Sequence, residues 1–264
     1  MRILFFLGLT LGLLQASFIS TPLLSVEGSR GAIEAPELKA GMSGFVVRHF
    51  DATHSSIIAN ARVSQITLSS NHATIELSPY DGLRQNSLPS GTWSPKVKDE
   101  VIIAYDYARA LLIAPNEDTY IALTKSIPNV EWIHPDIFAT YLSHEGHPTP
   151  LVSDFNQFCS AGSIGLLFIH SAQTLFTLDC KNFTLLQSTT SITNDTQLIL
   201  PFYSRVPEIR ADWWGEGSSK LEHYHPYYLQ QLVLNNSNNK ELYTLIKEKF
   251  GATTPLLHHF NFKE

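Results

Sequence analysis

Histidine offers the most chemistry in this chain, with 11 in 264 residues. His144-Glu145-Gly146-His147 sets two imidazoles and a carboxylate close together. A hydrolytic zinc helix needs His-Glu-x-x-His, because the i to i+4 spacing puts both imidazoles on one face. Here the second imidazole comes one position early, Gly146 intervenes and Pro148 follows, so the segment reads as a polar helix end and loop. His223 and His225 would share a side only if their segment were extended. His258-His259, near the C-terminus, reads as exposed. None of these pairs has a recognisable third ligand, so no metal site is expected. Ser163 lies in Ala161-Gly162-Ser163-Ile164-Gly165, where the first glycine is out of register for the Gly-x-Ser-x-Gly nucleophile elbow. It reads as a turn entering a strand. No phosphate loop or dinucleotide fingerprint is present. With no nucleophile–base set visible, neither an enzyme nor a cofactor is expected.

Aromatic residues cluster at Trp213-Trp214-Gly215 and at Tyr224–Tyr228. Such clusters pack cores or form binding hot spots, and both readings stay open here.

The N-terminus has one cation, Arg2, followed by the apolar run Ile3–Leu14. That run is short for a membrane span of about 20 residues and fits the hydrophobic region of a secretory signal. Met1–Ala16 is therefore expected to be a signal peptide, the alternative being an uncleaved anchor. No later segment reaches spanning length. In an oxidising compartment the even count favours pairing of Cys159 with Cys180; two buried free thiols are the alternative. A net charge of −6 without dense Lys/Arg runs argues against nucleic acid and anionic lipid as partners.

With 44% hydrophobic and 16% charged residues, the chain can fill a sizeable core. The first part is strand-rich: Leu23–Glu27, Ala32–Ala35, Phe45–Val47, Ile58–Leu68, Ala73–Leu77, Val101–Tyr107 and Ala110–Ala114. The alternation in Ala73-Thr74-Ile75-Glu76-Leu77 is that of a half-buried strand. Asn116 caps a helix over Glu117–Ser126, and Pro135 opens another over Asp136–Ser143. Between and after these come a strand at Val130–Ile133, a helix over Val152–Phe158, and strands at Ile164–Ile169, Thr174–Leu178 and Phe183–Leu186. Helices over Tyr227–Leu234 and Lys240–Phe250 end the chain, with Gly251 as a stop. The expected class is α+β: a strand-rich N-terminal small barrel or sandwich, then a mixed α/β domain, then a helical C-terminal end. The expected divisions are 1–16 signal peptide, 17–114 strand-rich domain, 115–200 mixed domain with the disulfide, and 201–264 aromatic segment and helices.

Several segments together carry a resemblance. They are Gly41–Val47, His54–Ala59, Leu112–Asn116, Cys159–Gly165, Leu178–Cys180 and Pro201–Val206. In this order and spacing they are similar to the N-terminal domain of the plasminogen-binding protein family of epsilon-class bacterial envelopes, over roughly Leu24 to Ile209. The resemblance places both cysteines at family positions, which implies their pairing. It also implies an exported, non-enzymatic envelope protein that captures host plasminogen, whose kringle sites bind lysine. Family members with the activity carry a Lys/Glu-rich tail ending in lysine, whereas this sequence reads Lys263-Glu264. Lys247, Lys249 and Lys263 are the candidate lysine contacts, the alternative being a solvated helix face and tail. The alternative is a periplasmic structural or scaffold protein accessory to an envelope machine, with Trp213-Trp214 as its surface. Protease accessibility on intact cells separates surface from periplasm.

Overall fold

Period-2 alternation over the first hundred residues produces seven strands: β1 (Ile19–Pro22), β2 (Ser25–Glu27), β3 (Arg30–Glu34), β4 (Ser43–His49), β5 (Ser55–Thr67), β6 (His72–Pro79) and β7 (Glu100–Ile103). The structure is a computed structural model describing residues 18–34, 37–67, 71–80, 82, 93–191 and 197–262. Met1–Ala16, expected as a signal peptide, and Lys263 lie outside the described residues. The strands form one antiparallel sheet in the order β1-β7-β4-β5-β6-β3-β2. Its two edge strands are neighbours in sequence, joined by Leu23-Leu24. The Leu23 N–H donates to the Asp99 carbonyl and the Leu24 N–H to the Ala32 carbonyl, both at 2.8 Å. The sheet thus curls into a half-barrel whose two edges meet on one bent segment. Register shifts along β5, opposite Val46–Val47 and near Val63, supply the extra twist that curling needs. Ile33, Val46, Val63, Ile75, Val101 and Ile103 fill the inside, each 0–1% exposed. Gly44 keeps β4 against β7, since a Cβ there would sit 2.1 Å from the Ile102 carbonyl oxygen.

Arg48 braces this sheet. Its Nε and Nη2 donate to the two carboxylate oxygens of Asp99 at 3.0 and 2.6 Å, and Nη2 also reaches the Ser94 carbonyl. Burial pushes the Asp99 carboxyl up, but the Arg48 guanidinium and the Lys96 N–H outweigh it and hold it below the ordinary 3.8. A depressed acid stabilises the fold above its unfolded value, and that contribution is lost as pH falls through the folded value. Arg48→Ala is therefore expected to cost about 2 kcal/mol in urea unfolding at pH 7, with the gap from the parent closing below about pH 4. An equal gap at pH 3 and pH 7 would contradict the pairing.

The second half is a five-stranded sheet: β8 (Arg109–Ile113), β9 (Glu131–Ile133), β10 (Leu166–Ser171), β11 (Thr174–Asp179) and β12 (Leu185–Thr190), in the order β12-β11-β10-β8-β9. β8 runs parallel to β9 and β10, while β10, β11 and β12 are antiparallel. The strand expected at Ala110–Ala114 is β8, and it pairs here and not with the half-barrel. Parallel neighbours require crossovers. Helix α1 (Glu117–Ser126) links β8 to β9; α2 (Pro135–Glu145) and α3 (Val152–Gly162) link β9 to β10. Local signals set these helices. The Thr119 N–H donates to the Asn116 side chain at 2.9 Å, and Pro135 opens α2. Helices α4 (Tyr224–Asn235) and α5 (Lys240–Phe250) follow.

This second sheet is covered on both faces. Ala110, Leu112, Leu166 and Phe168 belong to the core shared with the half-barrel. Leu111, Ile113, Leu167 and Ile169 belong to the core shared with the helices, with Phe138, Phe155, Leu232 and Ile246. That arrangement explains the continuous apolar runs in β8 and β10. Cys159 of α3 is bonded to Cys180, just past β11, and both are fully buried. Several expected strands are shifted: Leu23–Glu27 forms a strand only from Ser25, Ile164–Ile169 moves to Leu166–Ser171, and two more are displaced by turns. The run Val101–Tyr107 stops at Ile103, because Ala104 adopts φ 64° and a 3-10 turn over Tyr105–Ala108 follows. The run at Phe183 becomes a turn at φ 59°, and β12 starts two residues later.

Candidate functional site

Helix α5 carries two of the three candidate lysines. Its N-terminus is capped by Asn239, whose side chain accepts the Leu242 N–H at 2.9 Å, and Gly251 at φ 85° stops it. Leu242 and Ile246 lie one turn apart and are buried, which leaves Lys240, Glu241, Glu248 and Lys249 exposed. Lys247 sits 6.0 Å over the Tyr243 ring, and Lys249 donates to Thr174 Oγ1 at 2.7 Å. Glu248 lies between Lys247 and Lys249 in sequence, with the three side chains pointing about 100° apart around the helix.

The histidines go to separate partners. His144 is exposed at the end of α2 beside Glu145, whereas His147 Nδ1 lies 3.0 Å from both carboxylate oxygens of Asp154 in the first turn of α3. His223 and His225 belong to the start of α4, so the extended arrangement that would pair them does not occur. His225 Nδ1 instead accepts the Ala172 N–H at 3.1 Å. His258-His259 form an exposed 3-10 turn. Ser163 ends α3 at φ 49°. The two aromatic clusters divide. Tyr224 and Tyr228 are buried and donate to the carbonyls of His170 and Pro201 at 3.0 and 2.9 Å. Trp213 and Trp214 are 98% and 83% exposed.

The densest fully buried polar arrangement among the described residues was not legible as a motif. Asp179, at the end of β11, is fully buried between the two sheets. Its Oδ2 accepts the Ser43 N–H at 2.9 Å, the Ser43 hydroxyl at 2.6 Å and the Tyr107 hydroxyl at 2.8 Å; Oδ1 accepts the Lys181 N–H at 3.0 Å. Burial pushes this carboxyl above its ordinary value against the pull of those donors, and burial with the adjacent carboxylate pushes the Tyr107 hydroxyl well up. Beside it a cleft of about 570 Å³ is lined by Arg62, Tyr80, Ser163 and Lys181, among others. Of its three cations, Arg62 is paired with Glu76 at 2.5 Å and Lys181 with Asp106 and over the Phe45 ring at 4.4 Å, while Arg30 lines the same cleft. A carboxylate sealed from solvent and saturated by donors is a joint between sheets, not a reacting group. A single acid ending an apolar strand, Leu175–Asp179, was the signal that could have marked it.

Among the described residues no group of three or more His, Cys, Asp or Glu side chains could hold a metal ion, and no helix is long and apolar enough to cross a membrane. The family model described as plasminogen-binding protein pgbA N-terminal matches residues 18–233. Two curated relatives, both plasminogen-binding protein PgbA, come from Helicobacter pylori strains J99 and 26695. Each is 29% identical over 238 residues, covering 84% of this chain and 52% or 51% of the relative. The chain thus spans about half the length of the curated relatives it matches. No solved structure matches.

Proposed function

This chain belongs to the plasminogen-binding protein pgbA N-terminal family, and from that membership we propose that it is an exported, non-enzymatic cell-envelope protein that captures plasminogen at the cell surface. The observation that carries the reading is the extent of the match: residues 18–233 run from the first strand through most of α4, so both sheets lie within it. The Met1–Ala16 segment acts as the export signal in this reading, and the Cys159–Cys180 bond suits an oxidising compartment.

Capture is by lysine. Kringle sites take an ammonium and a carboxylate together, and α5 offers Lys247 and Lys249 flanking Glu248. Lys263 adds a third cation. These lysines lie beyond residue 233, so they are contacts this chain contributes outside the matched region. Lys249 gives up its bond to Thr174 on binding, at a cost of about 1 kcal/mol. Replacing Lys247, Lys249 and Lys263 together by Gln is expected to weaken plasminogen binding, read by surface plasmon resonance, by about tenfold or more. Unchanged affinity would remove these three residues from the contact.

A further inference from the structure

Trp213 and Trp214 are the most exposed large apolar side chains among the described residues. They are displayed by a built support. At one end the Arg210 N–H donates to Ser143 Oγ at 3.2 Å and the Asp212 N–H to the Gly146 carbonyl at 2.9 Å. At the other, the Thr149 N–H donates to the Gly217 carbonyl at 3.1 Å and its hydroxyl to the Ser219 carbonyl at 2.7 Å. The loop is therefore fastened at both ends to α2 and to the connection after it. Gly146, at φ 74°, admits no Cβ, which would lie 2.3 Å from Asp212 Cγ. Gly215 and Gly217, at φ 120° and 83°, turn the chain directly after the tryptophans. Nothing in this support needs the indoles outside, and exposing two of them to water is unfavourable.

The size of the tip limits what covers it. Two indoles bury at most about 500 Å² together, short of the roughly 800 Å² per side of a stable protein interface. Indole is, however, the side chain enriched at the membrane–water interface, with its apolar body toward the acyl chains and its N–H toward the headgroups. Charge refines the choice. Asp212 and Glu216 flank the tryptophans directly and outnumber Arg210 at the start of the segment, while the nearby Lys220 is paired with Glu208 at 2.7 Å. Carboxylates beside indole faces suit the cationic end of a zwitterionic headgroup, which also gains from lying over the rings. They disfavour an anionic surface.

We propose that the Asp212–Gly217 loop is a docking site for a zwitterionic lipid bilayer surface, with Trp213 and Trp214 as the inserting residues. The test is co-sedimentation of the full chain with phosphatidylcholine vesicles, alongside tryptophan emission with bromine-labelled acyl chains. The wild type should partition onto the vesicles, and its emission should shift to the blue and be quenched. Trp213→Ser and Trp214→Ser should each lower partitioning about tenfold, and the double variant about a hundredfold. Vesicles rich in phosphatidylglycerol should bind more weakly. The quenching result on the wild type needs no variant, and the thermal midpoint of each variant should match the parent. A wild type left in the aqueous phase would overturn the proposal and leave a protein as the occupant. Equal partitioning of the double variant, or a preference for anionic vesicles, would overturn it as well.

Discussion

Asp179→Ala is expected to lower unfolding stability by about 4 kcal/mol. Removing the carboxylate leaves the Ser43 N–H, the Ser43 hydroxyl, the Tyr107 hydroxyl and the Lys181 N–H without their acceptor at a buried site. Each unsatisfied donor costs about 1–3 kcal/mol, moderated where a hydroxyl can turn to another acceptor. The loss concentrates at one junction, because Ser43 opens β4 of the half-barrel and Asp179 closes β11 of the second sheet. Asp179→Asn keeps the shape and removes the charge, so it should cost less than the alanine. The pair also separates by pH. An acid whose folded value is raised stabilises the fold below its unfolded value, and that contribution is lost as pH rises through the folded value. The parent should therefore lose stability against Asp179→Asn as pH rises above about 4, as read by urea unfolding at several pH values. A difference independent of pH would show that this carboxyl does not titrate between folded and unfolded chains.

Removing the Cys159–Cys180 bond is expected to cost about 3 kcal/mol, from the entropy the unfolded chain regains when a loop with a sequence separation of 21 is opened. The bond ties α3 to the end of β11, and α3 carries Phe155 against Phe138 and Phe183. Loosening it therefore frees a covering helix from the sheet. Because both positions are fully buried, the informative variant is Cys159→Ala with Cys180→Ala; serine would add unsatisfied hydroxyls. Denaturant unfolding of this variant should match that of the reduced parent. A variant as stable as the oxidised parent would contradict the loop-entropy account.

Features set by short-range chemistry were legible in the sequence. The Asn116 cap, Pro135 at the first turn, and Gly251 as a stop mark helices close to where they were expected, and α5 runs over the expected Lys240–Phe250. Most half-barrel strands announced themselves as short apolar runs, with clear alternation at Ala73–Leu77, since one face is buried, but β1 at Ile19–Pro22 was not expected. Closure of the half-barrel was not legible: it depends on Ile19–Pro22 pairing with Glu100–Ile103, far along the chain. The end of β7 was misjudged because Tyr105 and Tyr107 continue the strand-like composition, while the turn is set by Tyr107 reaching Asp179. Asp179 stood out only as an acid ending an apolar strand, and its partners, 136 and 72 residues away, could not be read from local spacing. The two aromatic clusters had equivalent composition, and only the packing of α4 over β10 buried Tyr224 while Trp213 stayed outside.

The proposal that this fold captures plasminogen through lysine is tested most directly by equilibrium binding of the purified chain to plasminogen under competition with a free lysine analogue. The kringle sites have one pocket for both ligands, so the account predicts that the analogue displaces the chain progressively and completely. Binding that persists at saturating analogue would contradict it.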